Sequence, residues 1–255
     1  MLPALTLLFV YVVMGIPAAL VGIPWTLASG SVSFIYWWAM WIMRLGLRMA
    51  GIRVDVTWSA PLDPEKHYIF LSNHISNLDP PVLLPLLPGR SSVFVKRSLT
   101  KIPVLGYGMR LGDFIPVDRD GRIDSAKDSV TFAARVLASG VHVMSFVEGT
   151  RSRDGRLLPF KKGPFYLAME TGAPCIPISI SGTETMMRKG SLRIRPGTVR
   201  VVFHAPVYPA EAGSREALME RVREAIASAL PASMRPVVAG SSQSLPGESQ
   251  SLLGE

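Results

Sequence analysis

Charge is what the start of this sequence lacks. From Met1 to Met43 there is no Asp, Glu, Lys or Arg, and the first charged side chain is Arg44. A secretory signal needs a basic segment ahead of a shorter apolar core, so that class is excluded. Cysteine is nearly absent as well. Cys175 stands alone, which rules out an intramolecular disulfide and any multi-cysteine zinc site. No His-Glu-x-x-His occurs, so no metal is called for, and no Gly-x-Ser-x-Gly elbow offers a serine nucleophile. Acidic residues are outnumbered 19 to 27 by Lys and Arg, a net charge of +8 in 255 residues. That balance favours anionic partners: nucleic acid, a phosphorylated substrate or an acidic lipid surface.

The uncharged N-terminus selects among them. Leu2–Ile23 is long enough to cross a hydrocarbon core about 30 Å thick, with Pro17, Gly22 and Pro24 placed to kink or end the helix. After "ASGS" comes Val32–Met43, too short to span and crowded with Trp37, Trp38 and Trp41, which suits an interfacial or re-entrant segment. Arg44, Arg48 and Arg53 follow, so the positive-inside rule puts the rest of the chain on the cytoplasmic side of the cell (inner) membrane. The competing reading, a pair of buried helices in a soluble core, needs less uncharged sequence than is present.

The remainder alternates short apolar runs with helical patterns. The stretches 67–72, 92–96, 113–117, 141–146, 175–180 and 199–207 read as strands. Helices are expected over 125–140, where Ser125 and Asp128 suggest a capping box, over 163–172, and over Arg215–Leu230. This alternation predicts an α/β fold, a largely parallel sheet flanked by helices, preceded by the apolar N-terminal membrane segment. The expected organisation is a membrane-associated segment over 1–58, a catalytic domain over 59–231, and a Ser/Gly/Pro-rich disordered tail over 232–255.

Three stretches carry chemistry. In "SNHISNLD", His74 and Asp79 follow the first strand, and a strand-to-helix turn at Pro80 and Pro81 would let Asp79 reach Nδ1 of the imidazole. Nε2 would then be free to accept a proton. The bland alternative is a strand-end histidine beside a helix-capping aspartate. The stretch "SFVEGTRSRDGRLLPFKKG" gathers cations and hydroxyls on one loop. There Gly149 permits a tight turn, Arg151 offers a fork suited to phosphate, and Glu148 would orient Arg151 or another donor. Its bland alternative is a solvated basic loop. The third stretch, 95–119, carries Lys96, a Pro103-x-x-Gly106 turn and a strand ending Asp118-Arg119.

In order and content these resemble the glycerolipid acyltransferase family, which acylates lysophosphatidic acid. Asn73, His74 and Asp79 match its Asn-His-x4-Asp motif. Lys96, Pro103, Gly106, Asp118 and Arg119 match its second motif, Phe146 to Ser152 with Phe160, Lys161 and Gly163 its third, and Ile176-Pro177-Ile178 its fourth. Ser98 and Val147 depart from residues common in the family, Glu and Pro, at positions that bear on the head group.

The resemblance implies that His74 is the general base and that Asp79 holds it. The hydroxyl attacking the acyl thioester then belongs to the substrate, so no covalent enzyme intermediate is required. It implies phosphate binding by Lys96 and Arg151 with Glu148, Gly149 and Thr150. Asn73 gives support, and Arg119, Lys161 and Lys162 are further candidates for that phosphate or the donor's. No bound cofactor is implied; acyl-CoA or acyl carrier protein would be the donor co-substrate. The implied partners are a lysophospholipid and the bilayer. Another acceptor, such as a lyso-ornithine lipid, and a non-catalytic basic membrane adaptor stay open. A nucleic-acid binder is disfavoured because no recognised module is present.

Overall fold

The computed structural model describes residues 2–236 apart from 104, 119–122, 153, 188–190 and 192. Two helices open the chain, α1 (Leu2–Ser29) and α2 (Ser33–Met49), and lead directly into strand β1 (Ile52–Trp58). There follow β2 (Ile69–Ser72), α3 (Asp79–Leu83), β3 (Ser91–Lys96), α4 (Leu105–Leu111), β4 (Ile115–Val117), α5 (Ile123–Ala138) and β5 (His142–Phe146). Then come α6 (Gly163–Thr171), β6 (Cys175–Ser181), α7 (Thr183–Met186), β7 (Gly197–Phe203), α8 (Pro209–Ala212) and α9 (Arg215–Ser228).

The strands form one seven-stranded sheet in the order β1-β7-β6-β2-β5-β3-β4. Every neighbouring pair is parallel except β6 with β7. The central strands β2 and β6 are buried throughout, as parallel strands covered on both faces must be. Alternate side chains of β2 serve the two layers. Ile69 and Leu71 pack with α5, α6 and α9, whereas Phe70 joins Tyr36, Met40, Val82 and Leu83 from α2 and α3. The predicted α/β architecture is thus present.

Several expectations are corrected. The sequence reading passed over β1, although Ile52, Val54, Val56 and Trp58 alternate with polar residues; it pairs with β7 from Ile52↔Gly197 to Trp58↔Phe203. The sheet therefore begins before residue 59. The Ser125–Asp128 capping box does not form, because α5 already starts at Ile123 and the Ser125 hydroxyl donates to Asp118 Oδ2 at 2.9 Å. At the other end the described chain runs into the expected tail, where Met234 is buried and its carbonyl accepts from Leu157 N at 2.8 Å.

Pro17 and Pro24 do not end α1, which runs through both. Among the described residues it is the one helix long and apolar enough to cross a membrane, and only 11% of its most apolar window is buried. A core helix would be mostly covered. Leu8, Phe9, Leu20 and Trp25 are exposed on it, as are Trp37 and Trp41 on α2. The other side of α2 is fastened to the sheet domain: Tyr36 Oη accepts from Ser91 N at 3.0 Å, and Arg44 hydrogen-bonds the Pro85 carbonyl. The apolar hairpin and the α/β domain are joined at these contacts.

Candidate active site

The C-terminal ends of β2, β3, β5 and β6 converge on one edge of the sheet, where open α/β folds place their ligands. After Ser72 the chain leaves β2 and turns into α3, whose first turn contains Pro80 and Pro81. Asn73 anchors this exit, its side-chain amide exchanging two 2.9 Å bonds with the backbone of Ile180 on β6. The next residue, His74, carries the imidazole into the cleft.

Asp79 Oδ2 lies 2.8 Å from His74 Nδ1 and also accepts from Ile75 N at 2.7 Å and Ser76 N at 2.8 Å. Its other oxygen, Oδ1, accepts from Thr183 Oγ1 at 2.6 Å. The carboxylate is fully buried, while 14% of the His74 side chain stays exposed. A carboxylate can only accept, so Nδ1 carries the hydrogen and Nε2 presents its lone pair outward. The Phe146 ring stacks on the imidazole at 4.1 Å between centroids. The ring is held on edge and face, leaving Nε2 as its working atom.

The loop after β5 holds the His74 backbone. Glu148 Oε1 accepts from His74 N at 2.7 Å and Oε2 from Leu158 N at 2.9 Å, while Ser152 N donates to His74 O at 3.0 Å. Of the two expectations for Glu148, Arg151 or another donor, the second is what these bonds show: buried beneath the histidine, it orients two backbone amides. Burial pushes its carboxyl from 4.5 up to about 7. The amides of His74 and Leu158 oppose that rise, the Asp79 charge adds to it, and Arg223 opposes it. Gly149 adopts φ +67°, and a Cβ there would meet Lys161 Cγ at 2.9 Å, so the turn demands glycine.

The imidazole opens onto a cavity of about 940 Å³. Its floor is apolar and partly made by the N-terminal hairpin, through Ala18, Ile23, Ile35 and Met43. Lys96, Gly149, Thr150, Lys161 and Lys162 line it together with His74. Lys96, Thr150, Lys161 and Lys162 are exposed. Arg151 is half-buried and is not among the lining residues, and Arg119 lies outside the described residues. Cys175 is buried in β6, which pushes its thiol up to about 12 and suits it for packing rather than attack. Sequence reasoning missed Phe146 as a ring support, though it opens the third motif, and missed Thr183 altogether.

An acyltransferase family model matches residues 53–181, half of the chain. A chloroplastic 1-acyl-sn-glycerol-3-phosphate acyltransferase from Brassica napus is 40% identical over 165 residues, 64% of this chain and 46% of its own. The alpha form from Bos taurus is 34% identical over 193 residues, 73% of this chain and 67% of its own. The chain thus spans from about half to two thirds of the length of these curated relatives. The crystal structure of the 1-acyl-sn-glycerophosphate (LPA) acyltransferase PlsC from Thermotoga maritima superposes with a TM-score of 0.73 at 27% identity. That alignment covers 87% of this chain and 92% of the other.

Proposed function

The chain belongs to the acyltransferase family, and we propose that it moves a fatty acyl group from a thioester to the free hydroxyl of lysophosphatidic acid, giving phosphatidic acid. The observation that carries this reading is a His–Asp pair at a cavity whose floor is apolar and whose lining includes exposed lysines. His74 Nε2 takes the proton from the acceptor hydroxyl as that oxygen attacks the thioester carbonyl. The tetrahedral intermediate collapses, the C–S bond breaks, and the departing thiolate takes the proton back from Nε2. Asp79 supports the imidazolium between these two transfers. Acceptor and donor meet directly, so the enzyme supplies no nucleophile.

Lys96, Gly149 and Thr150 bind the acceptor phosphate, with Arg151, the next residue in the loop, assigned to it by its planar fork. Lys161 and Lys162 serve that phosphate or those of the donor, acyl-CoA or acyl carrier protein. The apolar floor takes the acyl chain. The hairpin sits in the cell (inner) membrane with the α/β domain on its cytoplasmic side, so lipid substrates reach the cavity from the bilayer.

The test is an acceptor panel assayed with labelled acyl-CoA and acyl carrier protein. Phosphatidic acid should form fastest from lysophosphatidic acid. Faster acylation of lyso-ornithine lipid would change the acceptor, and no transfer to any acceptor with either donor would sink the proposal.

A further inference from the structure

Asp79 must keep its charge against His74 although none of its surface reaches water, and the two oxygens are served unequally. Oδ2 has three N–H donors; among the described residues Oδ1 has one partner, the hydroxyl of Thr183 at 2.6 Å. Thr183 is itself fully buried and lies just past the stretch matched by the family model. Its position is set from both sides. Asn73 ties Ile180 to the β2 exit, and Gly182 then turns at φ +99°, where a Cβ would meet the Thr198 carbonyl at 2.5 Å. Gly182 N donates to Glu184 Oε2 at 2.7 Å, closing the turn into α7. The hydroxyl is thus carried by a rigid strand end to the far side of the carboxylate from the imidazole.

We propose that Thr183 is a positioning residue for catalysis, the third member of a hydrogen-bonded chain Thr183–Asp79–His74. By donating to Oδ1 it fixes the carboxylate's rotation, so that Oδ2 stays aligned with Nδ1 while the imidazolium forms and disappears. A buried charged acceptor that loses its sole donor on one oxygen is left to rotate or to redistribute its charge, and either disturbs the ring it holds. The titratable groups facing Asp79 are His74 and Glu148, the latter on the opposite side of the histidine loop. Neither can replace the lost donor, because Glu148 is engaged with backbone amides.

The proposal rests on the acyl-transfer reading for its kinetic arm but not for its chemical one. Thr183→Val and the smaller Thr183→Ala remove the hydroxyl, and Thr183→Ser retains it. With lysophosphatidic acid as acceptor, Val and Ala should lower kcat by about 10- to 100-fold, the worth of one bond to a charged group, with KM nearly unchanged. Ser should recover most of the loss. Independently of turnover, the pH midpoint at which His74 is carbethoxylated by diethyl pyrocarbonate should differ from wild type in Val or Ala and return in Ser. An upward displacement signifies charge redistribution and a downward one rotation of Asp79; either supports the role. An unchanged midpoint in whichever of the two variants folds, or kcat within about two-fold of wild type in an active enzyme, would overturn it. An inactive wild type with a displaced midpoint would overturn the acyl-transfer reading alone.

Discussion

Glu148 offers a prediction in which pH separates two roles for one residue. Its carboxyl titrates at about 7 in the folded chain against 4.5 ordinarily, driven up by burial. Between those values the folded state holds a proton that the unfolded chain has released, so the carboxyl penalises folding progressively as pH rises through this window. Each pKa unit is worth about 1.4 kcal/mol, which makes the total about 3 kcal/mol. His142 works in the opposite sense. Burial, followed by repulsion from His67, lowers it from 6.5 to about 4, so its contribution is lost as pH falls through that range. Wild-type stability alone therefore mixes the two, and a difference against Glu148→Gln isolates the carboxyl. Glutamine cannot titrate, and only its oxygen can accept; its NH2 must oppose one of the amides of His74 and Leu158, at a cost of about 1–3 kcal/mol at any pH.

Denaturation of both proteins in detergent, followed by tryptophan fluorescence, should show the variant less stable at about pH 5. The gap should close or reverse by about pH 8, changing by about 2.5 kcal/mol. Parallel curves would refute the assignment of this titration to Glu148. The kinetic counterpart follows from what the carboxylate touches. Because it holds the His74 backbone, Glu148→Gln should depress kcat rather than raise KM for lysophosphatidic acid. A pure KM effect would restore the phosphate-binding role that the sequence suggested.

Other perturbations test the rest of the site. His74→Ala should cut kcat by about 10²- to 10⁴-fold and Asp79→Asn should be severely impaired, measured by labelled acyl transfer; retention of more than about a tenth of turnover by His74→Ala would exclude it as the base. Arg151→Lys keeps the charge but loses the bidentate fork, so kcat/KM should fall about 10-fold or more for lysophosphatidic acid and little for an acceptor without phosphate. Equal losses on both acceptors would remove Arg151 from phosphate binding, in keeping with its absence from the cavity lining. Deleting residues 1–43 should release the protein from membranes and hurt activity on bilayer-embedded acceptors more than on short-chain soluble ones. Retention of the truncated protein through alkaline carbonate washing would place the anchor elsewhere.

The parts of this molecule that could be read from its sequence are those whose partners lie nearby in the chain. His74 and Asp79 are five residues apart across a turn already marked by two prolines, so their contact could be drawn from spacing and side-chain chemistry. The central strands announced themselves as continuous apolar runs because both faces of β2 and β6 are covered. The strand β1 did not, since it sits at the sheet edge with polar residues on one side and contains Arg53, the last of the arginines read as ending the membrane segment. Pro17 and Pro24 misled for a related reason. They break helices in water, but in an apolar helix the unbonded chain has no water to turn to, and α1 continues through both.

The supports of the histidine were hidden by distance. Glu148 reaches a backbone amide 74 residues away, and Thr183 reaches Asp79 across 104. A motif can show that a glutamate follows a strand and precedes a cluster of cations, and charge alone then favours pairing it with arginine. Folding resolves the matter differently, because the part-buried N–H groups of His74 and Leu158 both point at the Glu148 carboxylate and are satisfied by it. One carboxylate therefore fixes the histidine's ring and the other its backbone, and the two have opposite requirements. In the proposed mechanism Asp79 must be a strong acceptor for a cation that appears only during reaction. Glu148 needs only to occupy two amides, and it lies close enough to Asp79 for that charge to raise its pKa further. Donors packed around Asp79, four in all among the described residues, occupy both of its oxygens. The rise in Glu148 comes first from its burial beneath the histidine, with the Asp79 charge adding a smaller part.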